Sequence, residues 1–277
     1  MSAPVNDNLI YDVGMHDGSD SAYYLRRGYE VVAIEANPEL AAQATTGFAT
    51  AVADGRLTIL NLGIADRRGE AAFWVCDDVT VWSSFDRSIA SRNGSRHHQI
   101  TVPLRPMREI FEEFGLPYYA KVDIEGNDMY CLDGLSSDFR PPFMSLELSN
   151  DPLLERMVDV GFDRFKIVHQ LSLSPATRRW HSARGLVRNA KAQAILERAR
   201  GLGRGALFDG KWYFKMGASG PVPSHSPHGW LTYAEARALH DYIERTLFSG
   251  GFSSDWFDLH ATDADTLRSL ASRRRSL

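Results

Sequence analysis

Cysteine is scarce in this sequence. Cys76 and Cys131 are the only two in 277 residues, too few to staple a domain of this size or to build a zinc cluster, so both are expected as free thiols. No run of about 18 apolar residues exists, which excludes a membrane-spanning helix. The leading MSAPVNDN lacks the basic and apolar regions of a secretory signal, and a cytoplasmic location is expected. Neither sign of charge dominates: 31 Lys and Arg against 35 Asp and Glu leave a net −4, which gives no general attraction for nucleic acid. Basic residues gather locally at Arg178, Arg179, Arg184 and Arg188, and in the tail Arg273, Arg274 and Arg275, the tail reading as a solvated terminus. Internal repeats and low-complexity tracts are absent.

A hydrophobic content of 44% and a charged content of 24% are those of a globular chain. Strand-length apolar runs alternate with helix-length segments: NLIYDVG, a helix from about Ser19 to Arg27, EVVAIEA, then a helix opened by Pro38. That order predicts an α/β fold with a parallel sheet and crossover helices. RLTILNLGIA is a third strand, and EAAFWVCD follows too soon for a crossover, so it is expected to be antiparallel. Residues 77–99 read as a long loop over the active-site face. Beyond it come the strand QITVPL, the helix MREIFEEFG, the strands YAKVDIE and FMSLELS, a helix from Asp151 to Val160, and the strand RFKIVHQ. The predicted domains are 1–217, with an insertion at about 171–210 that carries a helix from Ala183 to Arg200, and a helical C-terminal extension at 218–277. WYFKMG is expected as the last strand.

The first strand runs into Asp12, Val13, Gly14, Met15, His16, Asp17, Gly18. Two glycines four apart at a strand-to-helix turn let the backbone pass close to a ligand. The second strand places Glu35 at its C-terminal end, where an acid can accept both ribose hydroxyls of an adenosine. The dinucleotide fingerprint G-x-G-x-x-G is missing, since His16 and Ser19 occupy its second and third glycine positions, and no G-x-x-x-x-G-K-[ST] occurs. Pyrophosphate and triphosphate ligands are therefore disfavoured. Acids at Asp12 and Asp17 suit a nucleoside with a cationic amino-acid end.

Three stretches in this order, DVGMHDGSDS at 12–21, VVAIEANP at 31–38 and AKVDIEGNDMYCLDGL at 120–135, resemble the FkbM-type methyltransferases, a branch of the class I enzymes dependent on S-adenosylmethionine (AdoMet). The K-x-D-x-E-G of the third is the most specific, and the resemblance extends over about Asn8 to His169. It implies a class I, Rossmann-like fold: a seven-stranded, mostly parallel sheet with helices on both faces, followed by the C-terminal insertion and extension. It also implies AdoMet as methyl donor and transfer to a hydroxyl of a small molecule, sugar or natural product. The cofactor residues it implies are Asp12, Gly14 and Gly18 at the turn, Glu35 at the ribose, and Asn61 and Gly63 near the adenine; His16, Asp17, Ser21, Ala36 and Asp123 are expected beside the cofactor with them. The chain departs from the family at His16 and Asp17, where a small polar pair is common, and at Pro103, where Thr is usual.

Transfer from a sulfonium to a hydroxyl needs in-line alignment and a group that removes the proton. Asp123, Glu125, Glu147 and His169 stand at strand ends, and His169 is the expected base because its ordinary pKa is about 6.5. Asp123 and Glu125, two apart, are expected on one face of a strand. Oxygens so placed also suit a divalent metal; the base reading is favoured and no metal is predicted. The lid candidates are Trp82 with Ser83 and Ser84, the segment with Trp180 and His181, and SSDWFDLHA. No [DN]-P-P-[YF] segment for an amine or base acceptor occurs. The alternatives are transfer to a nitrogen or macromolecular acceptor, or AdoMet binding without turnover.

Overall fold

The computed structural model describes residues 4–148, 152–170, 173–177, 207–208, 212–214, 218–225, 228–245 and 256–275. The helix expected at 183–200, most of the 171–210 insertion, Trp180, His181 and the arginines at 178, 179, 184 and 188 lie outside them. The chain forms two compact units, one of Met1–Glu147 with Glu155–Gly161, the other of Leu148–Leu154 with Phe162–Leu277.

In the first unit β1 (Val5–Val13), β2 (Glu30–Ile34), β3 (Leu57–Leu60), β7 (Leu116–Val122) and β8 (Phe143–Glu147) run parallel in the order β8-β7-β1-β2-β3. Their apolar runs are buried almost throughout, with Ile10, Tyr11, Val13, Ala33, Tyr119 and Met144 sealed from water. Helix α1 (Ser19–Arg26) connects β1 to β2. Helix α2 (Pro38–Gly47) starts where Asn37 accepts the Glu39 amide at 2.9 Å and Pro38 needs no donor. A short α3 (Ala49–Ala53) leads to β3. The chain builds outward from β1 through β2 and β3, and β7 then pairs with the opposite edge of β1. The strand order thus reverses beside β1, and an α/β sheet takes its ligand outside the carboxyl ends of the strands at such a point.

β4 (Gly63–Ile64), β5 (Gly69–Cys76) and β6 (His97–Arg105) form a separate sheet, β4-β6-β5, in which β5 is antiparallel to β6, across the 77–96 segment, and is not paired with the strand it closely follows. Between β5 and β6 the expected loop is a chain of short turns: Thr80–Trp82, α4 (Arg87–Ala90) and Arg92–Gly94. Helix α5 (Met107–Phe114) ends at Gly115, whose φ is +99°. Cys76 and Cys131 are buried free thiols.

In the second unit β9 (Arg164–His169) pairs antiparallel with β10 (Ser174–Pro175) and with β13 (Phe257–Thr262), while β11 (Leu207–Phe208) and β12 (Trp212–Tyr213) make a two-residue ladder. The fold class is as the sequence indicated, and the strand count departs from seven: the first unit holds five parallel strands and the small β4-β6-β5 sheet, and the second holds the remaining antiparallel pairs. The stretch 218–277 is not wholly helical, since β13 lies within it and WYFKMG is not the last strand. Every residue of β13 is buried, so its alternate polar residues sit inside, which disguised it in the sequence. The helix Tyr233–Ile243 opens on a reciprocal cap between Thr232 and Glu235. Among the described residues no helix is long and apolar enough to cross a membrane.

His260 lies opposite Lys166 on the β9–β13 pair and is 4% exposed, with neither ring nitrogen hydrogen-bonded among the described residues. Burial, reinforced by Lys166, pushes its pKa down to about 3. The unfolded imidazole takes a proton near pH 6.5, so His260 favours unfolding progressively as pH falls from that value towards 3. The expected cost is about 1.4 kcal/mol per pH unit across this window. Denaturant midpoints of wild type and His260→Leu between pH 7 and 4 should diverge accordingly; parallel curves would contradict it.

Candidate functional site

The turn after β1 is built from left-handed residues: Gly14 at φ +78°, His16 at +50° and Gly18 at +75°. The Gly14 and Met15 amides donate to the Ile34 carbonyl at 2.9 and 3.0 Å, folding the turn against the end of β2. A Cβ on Gly14 would stand 1.8 Å from the Asp123 carbonyl oxygen, and one on Gly18 would stand 2.6 Å from the Phe48 ring. This corrects the reason given for the glycines: the space they leave is taken by the protein itself. Asp17 is exposed, and its Oδ1 accepts the Ser19 amide at 3.0 Å and the Ser19 hydroxyl, fixing the start of α1.

Asp12 is sealed from solvent. Its Oδ2 accepts the Ser21 hydroxyl at 2.6 Å, and its Oδ1 lies 3.1 Å from Lys121 Nζ. Lys121 also donates to the Gly14 carbonyl at 2.8 Å. Burial alone would lower the Lys121 pKa, but Asp12, Asp123 and Asp20 outweigh it and hold the ammonium above its ordinary value, hence charged. Asp12 and Ser21, expected as cofactor contacts, are thus bonded to each other, with Asp12 also meeting Lys121.

Glu35 ends β2 at 8% exposure. One oxygen accepts the His16 amide and the other the Asn37 amide, both at 2.8 Å. Burial raises its pKa, and those amides and Lys121 oppose the rise. A carboxylate has about four acceptor sites, so two are left for hydroxyl donors. The glycine turn and the strand-end acid thus share one place, joined by the bond from the His16 amide to Glu35. Asn61 donates to the Glu35 and Ala36 carbonyls at 2.8 and 3.1 Å, which fixes this backbone. Ala36 packs on the core of the small sheet, formed by Phe73, Val75 and Val102. A Cβ on Gly63 would stand 2.3 Å from the Phe85 ring, so this glycine too accommodates a side chain of the protein.

β7 ends at Val122, and the Asp123 amide donates to the Val13 carbonyl at 2.9 Å. Glu125 then takes φ +49° and Gly126 +106°, so strand alternation does not govern this segment. Asp123 and Glu125 nevertheless converge with Glu147 at the end of β8, an oxygen of each within 4.8 Å of the others. Burial, then Asp123, raises the Glu125 carboxyl to about 7, and Arg92, 3.4 Å away, opposes the rise. Asp128, overlooked in the sequence, joins them: burial and Asp123 raise it to about 6. It opens a short 3-10 turn, Asp128–Leu132.

The 77–96 segment reaches both halves of the site. His16 Nε2 lies 2.8 Å from the Thr80 hydroxyl, Ser84 donates to the Glu125 carbonyl at 2.6 Å, and Arg92 meets the Glu125 carboxylate. Trp82 and Ser83 lie in its first turn. His169 ends β9 in the second unit at 1% exposure, its ring tilted on Phe257 at 5.3 Å. Trp256, of the third lid candidate, is 44% exposed.

A family model described as the methyltransferase FkbM domain matches residues 12–167. No curated protein matches the chain. Among solved structures, a precorrin-6y C5,15-methyltransferase from Geobacter metallireducens GS-15 is similar at 13% identity and a TM-score of 0.34, over 61% of this chain and 72% of that one. YjhP from E. coli is similar at 12% identity and a TM-score of 0.35, over 94% of this chain and 87% of that one.

Replacing Lys121 with Met strands the buried Asp12 carboxylate, at an expected cost of about 3–5 kcal/mol. Chemical denaturation measures it. Adding Asp12→Asn should recover much of the loss, and a purely additive double variant would show that the pair is not coupled.

Proposed function

This chain belongs to the FkbM methyltransferase family, and we propose that it is an AdoMet-dependent O-methyltransferase acting on a hydroxyl of a small molecule, sugar or natural product. The observation that carries the reading is the pairing of the glycine turn with Glu35, which leaves acceptor sites facing where a ribose would lie, beside the carboxylates that follow β7. AdoMet, when bound, supplies an activated methyl group on a sulfonium. Glu35 accepts the ribose hydroxyls, the turn from Gly14 to Gly18 shapes the floor, and Asp123 stands nearest the cationic centre. Glu125 takes the proton from the acceptor hydroxyl. Its carboxyl, held at about 7, is matched to proton transfer near neutral pH.

Glu125 is preferred to His169 as the base because about a fifth of its side chain remains exposed, at 21%, whereas His169 is 1% exposed. The acceptor is proposed to be a small molecule or saccharide, and not nucleic acid or membrane, because the chain is net acidic and the site is lined by carboxylates. Buried free thiols at Cys76 and Cys131 agree with a reducing, cytoplasmic setting.

The test is incubation with methyl-labelled AdoMet and a native metabolite extract, read by mass spectrometry: a labelled methyl ether supports the proposal, and a labelled amine or macromolecule replaces it. Glu35→Ala should weaken AdoMet binding by about 1.5–3 kcal/mol; unchanged affinity in calorimetry would remove the ribose assignment. Glu125→Gln should slow turnover by about 10²- to 10⁴-fold while sparing AdoMet affinity. Wild-type kcat/KM should rise with pH through about 7, as Glu125 loses its proton.

A further inference from the structure

Glu125 is held in a conformation that costs energy. A left-handed φ of +49° on a residue with a side chain is strained and persists only where neighbours over-determine it. Those neighbours come from the 77–96 segment. Ser84, 1% exposed, is pinned to β5 by reciprocal backbone bonds with Trp74 at 2.8 and 3.0 Å. Its hydroxyl is fully engaged, accepting the Asp86 amide at 3.0 Å and donating to the Glu125 carbonyl at 2.6 Å. Ile89 closes over Gly126, at 3.3 Å from the position of a Cβ there. Arg92, on the turn Arg92–Gly94, meets the Glu125 carboxylate at 3.4 Å. Backbone and side chain of Glu125 are therefore gripped separately, from one rigid stretch anchored on the small sheet.

We infer that Ser84 and Arg92 are positioning residues for Glu125, the first fixing its backbone and the second directing its carboxylate. That this carboxylate takes the acceptor's proton rests on the function proposed above; the grip itself does not. The ionisable groups facing Glu125 are Asp123, Asp128, Glu147 and Arg92. Three are acids, and Arg92 is the cation that keeps the carboxylate in one orientation against their repulsion. Lys121 is turned away, committed to Asp12 and Gly14.

The experiment is a carbon-13 NMR titration of the protein labelled at glutamate side-chain carboxyls, without AdoMet or acceptor, the Glu125 resonance being assigned by its loss in Glu125→Gln. In Arg92→Met the Glu125 midpoint should rise by about one pH unit, and Arg92→Lys should bring it back most of the way. In Ser84→Ala the resonance should broaden as the backbone leaves its strained geometry. Arg68→Met, which removes the partner of Glu109 at 2.6 Å, should leave the Glu125 signal unmoved and serves as the control. A midpoint in Arg92→Met equal to wild type, or a sharp wild-type line in Ser84→Ala, overturns the respective assignment. Failure to transfer methyl groups would overturn the proposed function and leave these signals as they are.

Discussion

The Lys121 ammonium is the constraint on which this site depends. It sits in the interior on β7 and faces both the end of β1 and the turn that follows it: the Asp12 carboxylate and the Gly14 carbonyl. A buried pair of this kind adds little net stability, since desolvation offsets most of the attraction, but breaking it is costly. Its effect is to dictate geometry. With the Asp123 carbonyl occupying the space of a Gly14 Cβ, the turns after β1 and β7 are locked together, and Glu35 is drawn in through the His16 amide.

Around that lock the carboxylates divide into two kinds. Asp12 is inside, neutralised by Lys121, and serves the fold. Asp123, Glu125, Asp128 and Glu147 lie at or past the ends of the strands, and burial, reinforced by the charge of Asp123, lifts Glu125 to about 7 and Asp128 to about 6. The same electrostatics thus yields a structural acid and, a few ångströms beyond, an acid able to exchange its proton at neutral pH.

Much of this was legible in the sequence. The strand-turn-helix pattern located Gly14, Gly18 and Glu35, because a strand-length apolar run followed by glycine leaves few places for a turn. The short spacing before EAAFWVCD announced an antiparallel strand. The purpose of the glycines was not legible, since the atoms they accommodate, Asp123 O and the rings of Phe48 and Phe85, are far away in sequence. The alternation rule put Asp123 and Glu125 on one face, yet they come together through a left-handed backbone at Glu125 that no period encodes. Asp128 and Arg92 carried no local signal, and Ser84 was marked only as part of a lid, because their importance arises from contacts 33 to 41 residues apart or from a shared field. β13 was hidden by polar residues that the fold buries.

The packing of Ala36 on Phe73, Val75 and Val102 gives the small sheet an influence its distance from the chemistry conceals. Ala36 follows Glu35 directly, so a change of volume within the β5–β6 hairpin is passed along the backbone to the strand-end acid. Lesions in that hairpin would present in a genetic screen as though they fell on Glu35 itself, and inherited variation there would be constrained by the position of that carboxylate.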